Sequence, residues 1–270
     1  MRLTALVCAH NQEAQLSQCL RSLSFCDQIV VVADRCTDRS AEIARRHGAV
    51  VVSGIFPLES QRRAAGLEAA SGDWIFEVAP DEQVSSALAW EIRATLKMKP
   101  VGDWFEAPIH NYVGEDLVRC GWTGGLSAVK SPRLYRPWAK AWADRRVAQA
   151  TMSGAPAGAL KGALRRNLAD NSAELVQRLN ALAALAAEDL ADARRPGALP
   201  GALFRGLRAF AAAYLRAQAW REGRLGFLAA LCGALYPVLA HLRACEVIEA
   251  RARAAAVPVE HPEVVGLGAR

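Results

Sequence analysis

The first 80 residues alternate between short β-type apolar runs and short stretches with helical spacing, and this rhythm limits the folds open to the chain. Residues 3–8 form an apolar run. Residues 11–23 follow with Leu16, Cys19, Leu20 and Leu23 at helical spacing. Residues 28–33 are β-branched and apolar, after which Thr37 and Asp38 open a helix over 40–47 that Gly48 closes. Residues 49–52 read as a third strand, 58–70 as a third helix and 74–78 as a fourth strand. Strands that alternate with helices imply βαβ units and a mostly parallel sheet with helices on both faces. In sheets of this kind ligands sit beyond the carboxyl ends of the strands. The segments to interrogate are therefore 9–12, 34–38 and 79–82.

Beyond this region the pattern changes twice. Residues 101–150 are irregular, with four Trp and two Tyr, and predict further strands and loops. After about residue 157 the chain is rich in Ala, Leu and Arg and reads as helical, with breaks at Arg195-Pro196-Gly197 and Leu199-Pro200-Gly201. These shifts suggest a sheet domain over 1–155, a helical region over 156–256 and a loose tail over 257–270. The apolar opening run is too short for a signal peptide and reads as a first strand. Seven cysteines (8, 19, 26, 36, 120, 232 and 245) are scattered, with no CxxC pair. That spacing excludes a disulfide framework or zinc ribbon and suits reduced thiols in the cytoplasm.

Three post-strand segments together carry a family resemblance. Leu6-Val7-Cys8-Ala9-His10-Asn11-Gln12-Glu13 resembles the opening strand and Asn-Glu turn of family 2 glycosyltransferases. Val31-Val32-Ala33-Asp34-Arg35-Cys36-Thr37-Asp38-Arg39-Ser40 is similar to that family's second strand and its Asp-Gly-Ser-Thr-Asp-like turn. Arg63-Ala64-Ala65-Gly66-Leu67, then Ser71-Gly72-Asp73-Trp74-Ile75, resemble the helix and strand leading to its metal-binding Asp-x-Asp. Arg133-Leu134-Tyr135-Arg136 and residues 175–188 resemble, more loosely, the subgroup that builds lipopolysaccharide cores and related surface glycans.

The resemblance implies a GT-A fold, a nucleotide-sugar donor and inverting transfer. In that chemistry a divalent cation, Mg²⁺ or Mn²⁺, clamps the departing diphosphate as a Lewis acid. A separate carboxylate takes the acceptor's proton. Carried over residue by residue, Asn11 and Asp34 fall at the nucleotide, Arg63 at the diphosphate and Asp81 at the cation. Asp34 could equally be a turn residue, and Asp38 reads as a helix cap. Arg63 could instead lie on a solvated helix face. Two departures stand out. The motif reads Ala79-Pro80-Asp81, so its first carboxylate is missing. The subgroup's Val-His-Glu-like segment is matched by Arg146-Val147-Ala148-Gln149-Ala150, which offers no base. Glu106, Glu115, Asp116 and Asp144 remain as candidates with nothing to choose among them. Trp122 is the candidate acceptor platform, since aromatic faces stack on sugars, although core packing is the commoner role of a Trp.

The charge is unevenly placed. Residues 151–270 hold 15 basic and 10 acidic side chains, whereas residues 1–150 are nearly balanced. Leu203, Leu207, Phe210 and Tyr214 lie on one helical stripe, with Arg205, Arg208 and Arg216 opposite. Residues 225–242 then run without a formal charge other than His241, interrupted by Gly226, Gly233 and Pro237. A basic amphipathic helix beside an apolar segment suits the inner face of an anionic cytoplasmic membrane, with a lipid-linked glycan as acceptor. Packing on the sheet domain is the alternative. No nucleic-acid-binding motif accompanies the basic charge. The expected function is thus a peripheral-membrane glycosyltransferase of lipopolysaccharide-core type. Its rival is a catalytically degenerate binding or scaffold protein on the same fold.

Overall fold

The computed structural model describes residues 1–122, 126–194 and 196–256. The expected tail, 257–270, lies outside the described residues. The first strand, β1 (Leu3–Ala9), is buried along its whole length, as its apolar run requires. There follow α1 (Glu13–Ser22), β2 (Gln28–Asp34), α2 (Ser40–Arg46), β3 (Val50–Gly54), α3 (Glu59–Glu68) and β4 (Trp74–Val78). The sequence rhythm is thus realised to within a residue or two at each boundary. A short β5 (Glu82–Val84) precedes α4 (Ser86–Lys97), which Ser85 caps by accepting the Leu88 N–H.

Seven strands come next: β6 (Trp104–Val113), β7 (Asp116–Val118), β8 (Lys130–Tyr135), β9 (Lys140–Trp142), β10 (Ala150–Met152), β11 (Pro156–Ala159) and β12 (Leu164–Ala169). The last two contradict the expectation of helix after residue 157. The sheet continues to Ala169. The run Leu-Arg-Arg-Asn-Leu-Ala can be a strand because Leu164 and Leu168 bury themselves and both arginines find partners. Arg165 lies over the Tyr112 ring at 4.0 Å and Arg166 reaches Asp81. Helix returns with α5 (Ser172–Asp192) and α6 (Leu199–Ala211). A π turn over Ala212–Arg216 and a 3-10 turn over Ala219–Glu222 lead into α7 (Gly223–Ala256).

The large sheet has the order β3-β2-β1-β4-β8-β6-β12-β5, with β7 and β11 also on β6. Its β3-β2-β1-β4 half is parallel throughout, and parallel pairings outnumber antiparallel ones in the whole sheet. Alternate residues of β1 face opposite layers, as a strand's period of two dictates. Leu3, Ala5 and Val7 pack with Leu16 and Leu20 of α1, Ala44 of α2 and Ile92 of α4. Leu6 and Cys8 pack with Leu67 of α3, Tyr135 and Trp142. Gly66 lets α3 close on the sheet, because a Cβ there would lie 2.5 Å from a Leu6 methyl. The molecule is therefore an α/β sheet covered on both faces, with a helical layer of α5, α6 and α7 beside it. In that layer Leu175 and Leu179 of α5 meet Ala229 and Cys232 of α7.

Candidate active site

The order β3-β2-β1-β4 creates a switch point: chain connections leave β1 and β4 in opposite directions, and a crevice opens at their carboxyl ends. A cavity of about 230 Å³ occupies this place. His10 and Gln12 line it from the end of β1, and Glu77 to Asp81 from the end of β4. Five arginines complete the wall: Arg62, Arg63, Arg133, Arg166 and Arg178.

The turn after β1 is fastened to the turn after β2. Asn11 has φ +51°, a left-handed conformation that Asn tolerates better than most residues. Its Oδ1 accepts the Thr37 N–H at 2.8 Å. Asp38 accepts the Ser40 and Glu13 amides at 3.0 Å each, so one carboxylate caps the first turns of both α2 and α1. Asn11, expected at the nucleotide, is thus engaged in holding the two turns together. His10 Nδ1 lies 2.7 Å from the Asp34 carbonyl oxygen. A carbonyl only accepts, so Nδ1 carries the proton and a neutral ring leaves Nε2 as an acceptor.

Asp34 ends β2 and is 1% exposed. It does not line the crevice but pairs with Arg62, which does. Its carboxylate takes two hydrogen bonds from Arg35, at 3.0 and 2.9 Å, and one from the Phe56 N–H at 3.0 Å. Burial pushes its pKa up, but Arg35, the Phe56 amide and Arg62 outweigh burial and hold it below the usual carboxylate range.

Charges then run as a continuous chain through the crevice. Glu59 pairs with Arg62 and Arg63. Arg63 reaches Glu77 at 3.2 Å and lies over the Trp142 ring. Glu77 also holds Lys140 at 2.8 Å, the Tyr135 hydroxyl at 2.9 Å and, more distantly, Arg133. Burial would raise the Glu77 carboxyl, but the surrounding Arg63, Lys140 and Arg133 charges keep it far below its ordinary value. Arg133 donates to the fully buried Glu82, which is 4.0 Å from Arg166. Asp81 closes the chain. Its Oδ2 accepts Arg166 Nε at 3.1 Å and Arg178 Nη2 at 2.6 Å. Burial acts to raise its pKa, and the two guanidiniums overcome it. Neither Arg166 nor Arg178 was marked by the sequence, because β12 and α5 come beside the Asp81 turn only in three dimensions.

One oxygen of the expected cation ligand is therefore occupied by arginines, while its Oδ1 is buried without a partner. Position 79 is Ala, and no group of three His, Cys, Asp or Glu side chains suited to a metal gathers among the described residues. These residues do not fit Mg²⁺ or Mn²⁺, which seek several oxygen ligands and would meet two guanidiniums on the one carboxylate. A second correction concerns Trp122. It is 7% exposed, donates its indole N–H to the Val118 carbonyl at 2.7 Å and packs with Leu175 and Leu179. It is core, with no face to offer an acceptor. Among the four carboxylates weighed as base, Glu106 pairs with Lys130, Glu115 and Asp116 are exposed beside the β6–β7 turn, and Asp144 lines a separate cavity. None lines the crevice.

No family model matches the sequence. Over 91 residues the chain is 33% identical to the lipopolysaccharide core biosynthesis glycosyltransferase LpsC of Rhizobium meliloti (strain 1021). Over that stretch the chain is similar to a glycosyltransferase. The match covers 32% of this chain and 34% of LpsC, so the chain spans about a third of the length of that curated relative. Among solved structures, S. aureus TarS 1-349 overlaps with a TM-score of 0.47 at 15% identity, covering 94% of this chain and 92% of that one. Glucosyl-3-phosphoglycerate synthase from Mycobacterium tuberculosis, in complex with Mn²⁺, UDP and glucosyl-3-phosphoglycerate, overlaps at 0.35 and 19% identity, covering 41% and 44%. Overlap this loose carries no residue role from one chain to the other.

Proposed function

We propose that the chain is an inverting glycosyltransferase that moves a sugar from a UDP- or ADP-linked donor to a lipid-linked surface glycan of lipopolysaccharide-core type. The observation that carries this reading is the arginine-lined crevice at the β1/β4 switch point, the place where such a sheet binds a nucleotide. In the transfer, an acceptor hydroxyl oxygen bonds to the anomeric carbon from the face opposite the diphosphate. The carbon–oxygen bond to the diphosphate breaks, its electron pair leaves with the nucleoside diphosphate, and the proton of the acceptor hydroxyl passes to water. Fixed guanidiniums around that oxygen stabilise the charge as it develops.

Membrane location is supported by the helical layer. Leu203, Phe204 and Leu207 of α6, Trp220 of the 3-10 turn, and Phe227 and Leu231 of α7 are exposed apolar side chains. Exposed Arg208, Arg216 and Arg224 stand among them. α7 is long and apolar enough to cross a membrane, and only 39% of its most apolar window is buried. Gly226, Gly233 and Pro237 within it suit a helix lying at the surface of the anionic leaflet.

A second reading, donor binding without turnover, is favoured by one observation. The two carboxylates on the crevice, Glu77 and Asp81, are both held in ion pairs and are poor bases. The test is a thermal-shift screen of UDP, ADP, GDP and their sugars, followed by incubation with lipid-linked glycan and mass analysis. Stabilisation by one nucleotide series, with a hexose-sized mass gain on the acceptor, is the expected result. Stabilisation without any mass gain selects the second reading, and no stabilisation by any of them sinks both.

A further inference from the structure

We infer that the crevice arginines take the place of a divalent cation and hold the donor's diphosphate directly, so that donor binding needs no metal. The inference rests on the glycosyltransferase reading for the identity of the anion, though not for the existence of an anion site.

Three independent features lead to it. The first is the state of Asp81. Its Oδ2 already receives two guanidiniums, and a cation at its buried, unpartnered Oδ1 would sit beside their positive charge with this one carboxylate as its ligand. The second is charge balance. The connected chain of ion pairs from Arg35 to Arg178 contains seven cations: Arg35, Arg62, Arg63, Arg133, Lys140, Arg166 and Arg178. It contains five carboxylates: Asp34, Glu59, Glu77, Asp81 and Glu82. The excess of two positive charges equals the charge of the cation it would replace. Carboxylates neutralise the rest, so the arginines can be packed side by side without a bound ligand.

The third feature is unspent hydrogen-bonding capacity. The Nε donors of Arg62 and Arg133 are buried and have no acceptor, although both residues line the crevice. Buried donors are rarely left unpaired, and phosphate oxygens are strong acceptors that guanidinium forks match in shape. Arg178 adds accessibility: its side chain is 35% exposed while its Nη1 is steadied by the Leu168 carbonyl. Phosphate recognition by fixed guanidiniums would leave Asp81 a positioning residue that orients Arg166 and Arg178.

The experiment is titration calorimetry of the full chain with inorganic pyrophosphate, UDP, ADP and GDP, each in EDTA and in Mn²⁺. Equal affinity in both buffers is expected for pyrophosphate and for at least one nucleotide. Arg178→Gln should weaken binding in EDTA by about tenfold or more, the loss of one charge-assisted contact. Arg178→Lys should recover part of it. Asp81→Asn gives opposite signs under the two ideas. It removes a ligand from a metal site, but it releases two guanidiniums in an arginine site, so metal-free pyrophosphate affinity should hold or rise. Should Asp81→Asn fail to fold, the Arg178 pair decides. Binding that appears only with Mn²⁺ overturns the inference and leaves the glycosyltransferase reading intact. Metal-free pyrophosphate binding without affinity for any nucleotide sustains the anion site and defeats that reading instead. No binding in either buffer overturns the inference.

Discussion

Asp34 and Asp38 sit four residues apart, and their surroundings give them different work. Asp38 binds the first amides of two helices, as a helix-capping residue should. Asp34 carries the Phe56 amide and two arginines on a carboxylate with almost no exposed surface. We expect Asp34→Ala to destabilise the fold by about 1–3 kcal/mol, because the Phe56 amide and Arg62 lose a buried acceptor. Asp34→Asn keeps the acceptor and should restore much of the loss in a urea titration. A variant that folds with wild-type stability yet no longer binds nucleotide would return Asp34 to the nucleotide site. The capping role of Asp38 was legible in the sequence because Asp is favoured just before a helix. That Asn11 ties the two turns together was not, since its partner Thr37 is 26 residues away. Arg166 and Arg178 were not legible. An arginine on an Ala/Leu-rich segment looks like solvated surface until the carboxylate it reaches, nearly a hundred residues away for Arg178, is placed beside it.

At the scale of elements, the same division holds. The β1-to-β4 region was readable because each element carries its own period and its own stop. β12 was not, since its register is set by pairing with β6 and β5 and by partners for its two arginines. The α6–α7 pair is the element whose role is open to the most direct test. α6 closes on α7 at Gly206, where a Cβ would lie 2.5 Å from the Ala234 carbonyl oxygen. Phe210, Tyr214 and the exposed Phe227 meet ring to ring, so half of the stripe read as membrane-facing is partly buried against its neighbours. Leu203 and Leu207 remain outside. Replacing Arg205, Arg208 and Arg216 by Gln should reduce sedimentation with anionic vesicles at low salt and leave the circular dichroism spectrum unchanged. Wild type that stays in the supernatant with such vesicles would reduce α6 and α7 to packing elements.

For the whole molecule, the ion-paired carboxylates set an acid limit. Asp27, held by Arg93, has its pKa lowered to about 2, and Asp34, Glu77 and Asp81 are lowered too. A carboxyl depressed on folding stabilises fully above its unfolded pKa of about 4 and loses that contribution as pH falls through the folded value. Melting temperature should therefore be insensitive to these groups between pH 7 and 5 and fall progressively below about pH 4. A maximum of stability near pH 3 would contradict the ion-pair assignments. A separate group of ion pairs lies further along the helix that carries Arg178. α5 carries Arg178 near one end and, near the other, Glu188 and Asp192, which bind Arg251 of α7 at 2.5 and 2.8 Å. Fourteen residues of helix separate Arg178 from Asp192, a stiff rod of about 20 Å. A pivot of about 3° at one end of such a rod displaces the other by about 1 Å, and that is the margin between a guanidinium touching a phosphate oxygen and missing it.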